Sequence, residues 1–123
     1  MADPFHHALS STKKWGGEVT DYLEIHRWFD QPKAHFSDPR SRAIRHHAQG
    51  IDWAIEHFGQ TITISTGKKI PVRWIGEQHC LEDYGFIPTL ADFLREMTVQ
   101  PWMVKGARKL SKELGETGSG RAA

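Results

Sequence analysis

Apolar residues recur every three or four positions in the first 30 residues of the chain, the spacing that places them on one face of a helix. Asp3-Pro4 has the composition of a helix start, since an aspartate caps free N–H groups and proline fits the first turn. A glycine pair at 16–17 ends this helix. Thr20 starts a second helix, which Pro32 ends or kinks. The pattern predicts two helices joined by a short glycine turn.

The longest predicted helix covers about residues 39–58 and carries a histidine in its apolar stripe. It starts at Asp38-Pro39 and ends at Gly59. Because His47 lies three residues after one isoleucine of the stripe and four before the next, helical geometry points it into the core. The complete stripe is Ile44, His47, Ile51, Ile55 and Phe58.

Strict alternation of polar and apolar residues replaces the helical spacing after residue 60. Two alternating stretches, 61–65 and 70–74, flank a threonine–glycine turn, which is typical of a β-hairpin. A fourth helix is predicted over about 75–84. A short fifth helix is predicted to start at Thr89, and a last, basic helix at Pro101.

Together these elements predict a mainly α fold with a small β-hairpin (α+β): a compact helical bundle of four to six helices plus one two-stranded hairpin. The chain has 123 residues, of which 38% are hydrophobic, the size and composition of one globular domain. We expect this domain to span residues 1–114. Residues 115–123 are small and polar and are expected to form a disordered tail.

Charge and cysteine content exclude several classes of function. Sixteen basic residues balance fifteen acidic ones, with a formal net charge of +1, so bulk nucleic-acid binding is not expected. Cys80 is the single cysteine, which rules out an intramolecular disulfide and indicates a reducing compartment. No signal peptide or membrane span is recognised, so we expect a cytoplasmic protein without membrane contacts.

Eight histidines are the main chemical signal. His26 lies four residues before Asp30, and His79 lies four residues before Asp83, so each imidazole shares a helical face with a carboxylate. Helical bundles build metal centres from such inward side chains on facing helices. The sequence predicts a divalent transition metal (zinc, manganese or iron) held by His26, His47 and His79. The alternative is that no cofactor binds and the histidines are structural.

The remaining histidines are given less weight. On the predicted long helix, His46 and His57 lie on a different face from His47, which favours a surface or interface role. His7 is expected to lean towards solvent on the first helix. No HExxH motif or CxxC pair accompanies any histidine, so a strong metal signature is absent from the sequence.

Acidic and basic residues near these histidines suggest chemistry on a phosphate. With a metal bound, His79 would act in catalysis, and Glu77 or Asp83 would accept the proton of an activated water. Arginines near the positive end of the predicted long helix would bind the phosphate. The alternative is a solvated basic surface paired with acids. The candidate phosphate-binding residues are Arg42, Arg45, Lys13 and Arg73.

Four segments carry a family resemblance that spans His6 to Leu94. They are DYLEIHRWFD (21–30), RAIRHHAQGI (42–51), STGKKIPVR (65–73) and VRWIGEQHCLEDYGFIPTLADFL (72–94). In this order and spacing, the chain resembles a group of small proteins of unknown function found in phage and bacterial genomes. The resemblance implies an active or ligand site at its recurring polar positions: His26, Asp30, Arg45, His46, His47, Glu77, Gln78, His79, Glu82 and Asp83.

Two functions therefore stand as hypotheses. The first is a histidine/acid-site protein that acts on or binds a phosphate-bearing small molecule, with a metal-dependent hydrolase as the specific form. The second is a phage-derived, non-catalytic inhibitor, located in the host cytoplasm, that binds a host defence protein or its signalling nucleotide. In that case Trp53 and Trp102 with nearby basic residues would form the contact surface. A homo-oligomer is compatible with either hypothesis.

Overall fold

Local capping signals and apolar faces build the helices of this protein, and a computed structural model describes residues 3–104. Over these residues the chain forms five complete α-helices and one antiparallel hairpin, with two short 3-10 helices at Gln31–Ala34 and Pro39–Ala43 and helical backbone at 102–104. The mainly α fold with a small hairpin is confirmed. The elements are α1 (Pro4–Trp15), α2 (Val19–Asp30), α3 (Ala48–Phe58), β1 (Thr61–Thr63), β2 (Lys69–Pro71), α4 (Val72–Tyr84) and α5 (Leu90–Leu94).

The first two helices form as predicted, with a small correction at the start of α2. The Asp3 side chain accepts the His6 N–H at 2.9 Å and begins α1. The N-cap of α2 is Glu18 and not Thr20, because Glu18 and Asp21 make a reciprocal capping box. The glycine pair between them turns the chain so that α1 and α2 pack side by side.

The predicted continuous helix over 39–58 is wrong. The chain makes a 3-10 helix, then a turn at residues 44–47, and α3 starts only at Ala48. His47 is the N-cap of α3, with extended backbone, and its Nδ1 accepts the Gly50 N–H at 2.9 Å. The turn folds back so tightly that a Cβ at Gly50 would lie 1.8 Å from the Arg45 carbonyl oxygen. Glycine is therefore required there.

The core lies between α2, α3 and α4, with α1 and the hairpin covering its sides. Phe29 from α2 and Ile51 from α3 are buried, and both face Gly76 of α4. A Cβ at Gly76 would lie 3.0 Å from the Phe29 ring and 3.1 Å from Ile51, so the glycine lets α4 approach both helices closely. His79, one turn further along α4, is buried at the same junction.

The hairpin closes one side of this core. Ile62 pairs with Ile70, and Ile70 is fully buried. Val72, predicted as part of the second strand, instead begins α4. Ser65 donates its N–H and hydroxyl to the Asp21 carboxylate, which ties the hairpin turn to the start of α2.

Two predictions on the C-terminal part concern residues outside the described range. The tail at 115–123 and most of the predicted basic helix after Pro101 lie beyond residue 104. Within residues 3–104, no helix is both long and apolar enough to cross a membrane.

Candidate metal centre

Four side-chain donor atoms converge where the end of α2, the 44–47 turn and α4 meet. They are Asp30 Oδ1, His46 Nε2, His79 Nε2 and Asp83 Oδ2. His46 Nε2 lies 3.0 Å from Asp30 Oδ1, 3.1 Å from His79 Nε2 and 3.3 Å from Asp83 Oδ2. His79 Nε2 lies 3.3 Å from Asp30 Oδ1 and 3.5 Å from Asp83 Oδ2.

These separations suit the first coordination shell of a divalent metal. Metal–ligand bonds of about 2.0–2.2 Å put neighbouring donors about 2.8–3.6 Å apart in octahedral or tetrahedral geometry. Imidazole nitrogen and carboxylate oxygen are ligands that zinc, iron and manganese accept. The donor set therefore fits such an ion without rearrangement of the helices.

The helices and the turn place each donor for a local reason. Asp30 is the last residue of α2, and His79 and Asp83 lie one turn apart on α4. His46 lies in the 44–47 turn, and Arg45 binds this turn to α2. The Arg45 guanidinium donates to the Trp28 carbonyl oxygen at 2.6 Å and lies 4.1 Å from the centre of its ring.

The carboxylates and the imidazoles of the cluster shift one another's pKa against the effect of burial. Burial alone would raise the pKa of Asp30, but its hydrogen bond with His46, the largest opposing effect, holds that pKa well below its ordinary value. Asp83 shows the same balance, with His46 and His7 lowering its pKa against burial. Burial lowers the pKa of His46, but Asp30 and Asp83 raise it more. In the metal-free protein, His46 Nε2 therefore carries a proton and donates it towards the carboxylates of Asp30 and Asp83.

His7 orients the Asp83 carboxylate through the oxygen that does not face the cluster, Oδ1. Its Nε2 lies 3.1 Å from Asp83 Oδ1, and its Nδ1 lies 2.7 Å from Glu82 Oε1, so one ring bridges two carboxylates. Burial lowers the pKa of His7, but the two acids raise it above its ordinary value. Because His7 contacts Oδ1, the Oδ2 atom of Asp83 faces the other metal ligands. Hydrogen bonds from residues outside the coordination shell commonly orient metal ligands in this way.

A chain of buried polar groups supports His79 on its other side. His79 Nδ1 lies 2.9 Å from His26 Nδ1, and His26 Nε2 lies 2.9 Å from the Ser11 hydroxyl. Ser11 in turn donates to Gln78 Oε1 at 2.6 Å. Burial lowers the pKa of His26 to about 2 and that of His79 to about 4, so both rings are neutral.

The cluster is reached from an open cavity of about 1370 Å³ that Asp30 and His46 line. The Asp30 side chain is 21% exposed, whereas that of Asp83 is 1% exposed. Solvent and small molecules therefore reach the donors from the Asp30 side. Cationic and aromatic side chains share the cavity wall: Arg27, Lys33, Arg42, Arg45, Trp28 and Trp53.

The three histidines predicted as metal ligands are not all brought together. His26 and His79 meet, although His26 faces the Nδ1 of His79 rather than the four-donor cluster. His47 is buried as predicted, but its Nδ1 caps α3 and its Nε2 donates to the Ala43 carbonyl oxygen at 3.0 Å. His46, its neighbour in the chain, lies in the cluster instead.

A second group of His7, His26 and His79 also holds three nitrogens within 4.8 Å of one another. Both nitrogens of His7 are already bonded to carboxylates. Those of His26 face His79 and Ser11. The group of two acids and two histidines is therefore the better metal site.

The predicted catalytic and phosphate-binding residues lie in different places. Asp83 is in the cluster, whereas Glu77 is half-buried and turned about 200° around α4 from His79. Arg42 and Arg45 line the cavity beside the cluster. Arg73 instead pairs with Asp52 on the surface at 2.9 Å, and Lys13 is exposed in the last turn of α1.

Two residues of the site lie where the sequence did not predict them. His46, expected at a surface or interface, is 1% exposed, and His7, expected to lean towards solvent, is fully buried. The position of His46 was wrong because it was assigned the phase of a helix that begins only after it. The resemblance did contain the signal, since His46 and Asp83 are among the polar positions it implies.

Comparison with known proteins identifies the family to which this chain belongs. No curated protein and no solved structure matches this chain. A family model does match, over residues 2–103, and its description is Domain of unknown function (DUF6915). This span covers most of the chain and contains every donor of the cluster. The protein therefore belongs to the DUF6915 family, which agrees with the resemblance noted in its sequence.

Proposed function

We propose that this protein binds a divalent transition metal through Asp30, His46, His79 and Asp83 and hydrolyses a small phosphate-bearing molecule in the adjoining cavity. The observation that carries the proposal is the convergence of two carboxylate oxygens and two imidazole Nε2 atoms beside that cavity. Four such donors in a largely buried place are stabilised most simply by a cation between them.

The donor set and the cavity together favour a reactive site over a purely structural one. Four protein ligands complete the coordination of zinc, whereas octahedral manganese or iron would retain two open positions. Asp30, the ligand that reaches the cavity, marks the side on which these positions would face solvent. A divalent ion in such a site supplies a Lewis acid and lowers the pKa of a nearby water.

The protein's own groups supply the remaining functions of a phosphate hydrolase. The sequence hypothesis names Glu77 or Asp83 as acceptor of the water's proton. Because both Asp83 oxygens face histidines, the cavity-facing Asp30 is the better candidate. The water oxygen would bond to phosphorus as the bond to the leaving group breaks. Arg42, which also lines the cavity, is positioned to contact the phosphoryl oxygens.

Metal analysis of untagged protein tests the first half of the proposal. We expect about one ion per chain after removal of bound metal with EDTA and titration with Mn²⁺, Fe²⁺ or Zn²⁺. At a hundredfold excess over Kd, the ion should raise the free energy of unfolding by about 2.7 kcal/mol. Asp30→Asn and His79→Ala should abolish this gain. The matched control is His57→Ala, an exposed histidine of the same cavity, which should keep it.

Hydrolysis of p-nitrophenyl phosphate and of bis(p-nitrophenyl) phosphate by the metal-loaded protein tests the second half. Activity should disappear in Asp30→Asn and fall in Arg42→Ala while metal content in Arg42→Ala stays at wild-type level. If none of the three metals binds or stabilises wild-type protein, the metal centre is refuted. If metal binds but neither ester is cleaved, the metal centre stands and the hydrolase is refuted.

The second hypothesis, a non-catalytic binding protein, is supported by exposed tryptophans. Trp53 is 40% exposed and lines the cavity, and Trp102 is 68% exposed. Buried tryptophan is frequent at the centre of protein interfaces. A phage-derived inhibitor of a host defence protein or of its signalling nucleotide remains a proposal of this kind. It predicts that Trp53→Ala abolishes partner binding in protein stripped of metal.

A further inference from the structure

We propose that His26 is a positioning residue that sets the tautomer of His79, so that the Nε2 lone pair of His79 faces the metal ligands. The inference rests on the proposed metal centre for its purpose, and on the hydrogen bonds behind His79 for its argument. His26 is fully buried on α2, and it contacts the face of His79 opposite to Asp30 and Asp83.

The hydrogen bonds behind His79 begin at a group that can only accept, the backbone carbonyl of His7. Gln78 Nε2 lies 2.9 Å from the His7 carbonyl oxygen, which only accepts hydrogen bonds. Gln78 must therefore present its amide nitrogen there and also to Glu82 Oε1, at 3.0 Å. Its amide oxygen consequently faces Ser11.

The hydrogen bonds of Ser11 determine which nitrogen of His26 carries the proton. The Ser11 hydroxyl lies 2.6 Å from Gln78 Oε1 and 3.0 Å from the His7 carbonyl oxygen, and both of these atoms can only accept. The hydroxyl proton is therefore directed to one of them. Towards His26 Nε2, 2.9 Å away, the Ser11 oxygen acts as acceptor. His26 must carry its proton on Nε2.

The imidazoles of His26 and His79 face each other through their Nδ1 atoms. A neutral His26 protonated on Nε2 has a lone pair on Nδ1, which lies 2.9 Å from His79 Nδ1. Two lone pairs would repel at this distance, so His79 carries its proton on Nδ1 and donates it to His26. The Nε2 of His79 is then unprotonated and faces Asp30 and Asp83. Without the acceptor on His26, a proton on His79 Nε2 would bond to Asp30 and oppose metal binding.

Nitrogen NMR of the metal-free wild-type protein measures this tautomer directly. Long-range ¹H–¹⁵N correlations of ¹⁵N-labelled histidine should show His79 protonated on Nδ1 and unprotonated on Nε2. The same spectrum should show His26 protonated on Nε2. A His79 protonated on Nε2 would overturn the inference. The measurement requires no metal, so it is decisive even if the proposed metal centre fails.

Two substitutions test the consequence for metal binding. His26→Asn keeps an acceptor oxygen close to the position of the imidazole Nδ1, whereas His26→Leu removes the acceptor. We expect Mn²⁺ and Zn²⁺ affinity to fall about 10- to 100-fold in His26→Leu and to stay within a few-fold in His26→Asn. In metal-free His26→Leu, the His79 proton should move to Nε2.

Equal affinity in the two variants, with wild-type binding intact, would overturn the inference. Ser11→Ala is the milder test if His26→Leu does not fold, because it removes the acceptor for His26 Nε2 and leaves both imidazole rings in place. Ser11→Ala should raise the fraction of His79 that is protonated on Nε2. An unchanged His79 tautomer would count against the role of these hydrogen bonds. Absence of metal binding in wild-type protein would refute the proposed function alone.

Discussion

Buried imidazoles in this protein carry different charges because their ring nitrogens face different groups. His7 and His46 face carboxylates, and the pKa of each is raised in spite of burial. His26 faces the Ser11 hydroxyl and His79, and burial lowers its pKa to about 2. His79 also faces Asp30, but its deeper burial outweighs that contact and lowers its pKa to about 4. The surroundings therefore favour protonation of His7 and His46, while His26 and His79 are neutral and have a defined donor and acceptor side.

Replacement of His7 tests the role of one such histidine. His7→Leu leaves Asp83 and Glu82 without the imidazolium between them, so we expect a loss of about 3 kcal/mol in the free energy of unfolding by urea. His35→Leu, at an exposed histidine, should change stability by less than about 0.5 kcal/mol. Equal urea midpoints for wild type and His7→Leu would mean that the bridge contributes no net stability.

Among the elements, the segment between α2 and α3 separates what the sequence predicts from what it does not. Helix α1, the hairpin and α4 follow from caps, turns and spacing that are local. The break before α3 depends on distant contacts: Arg45 stacks on Trp28, and the Ala48 N–H donates to the Pro88 carbonyl oxygen at 2.8 Å. Ile44 fits the helical stripe by spacing, yet it is 50% exposed.

The candidate site divides in the same way. His79 and Asp83 are predictable because they lie one helical turn apart, and Asp30 is predictable because it lies one turn after His26. His46 is not, since the direction of its side chain depends on where α3 begins. The local sequence pattern does not predict the fold of the 44–47 turn, which carries His46.

Substitution of His47 tests whether this side chain acts as a helix cap. His47→Ala should lower the free energy of unfolding by about 1–2 kcal/mol, because the Gly50 N–H loses its acceptor. Asparagine is itself a good N-cap, so His47→Asn should retain most of this stability. Both variants should bind metal as wild type does, and His46→Ala should not. Loss of metal in His47→Asn would instead support the original prediction that His47 is a ligand.

At the scale of the whole molecule, the neutral histidines make the free energy of unfolding depend on pH. The unfolded chain protonates His26 and His79 near pH 6.5, but the native protein resists this until about pH 2 and about pH 4. Stability present above pH 6.5 is therefore lost as the pH falls below it. Each imidazole contributes up to about 1.4 kcal/mol per pH unit. The raised pKa values of His7 and His46 leave their contribution fully present in this range.

Urea unfolding in EDTA between pH 7 and pH 4.5 measures this dependence. The free energy of unfolding should fall steadily towards pH 4.5, and His26→Asn should show a shallower fall because one of the two imidazoles is gone. A flat profile, or one that rises with acid, would show that the buried rings are protonated in the native protein.

The turn that carries His46 has a consequence for kinetics. Residues 31–47 contain two short 3-10 helices and an exposed stretch at 33–37, so we expect this segment to open at lower cost than the α-helices. Its opening withdraws one ligand while three remain in place. A bound ion would then escape by local opening and not by unfolding. Its residence time would depend on Arg45, whose bonds go to Trp28 and Gln31, and chelator competition with Arg45→Ala would reveal faster release.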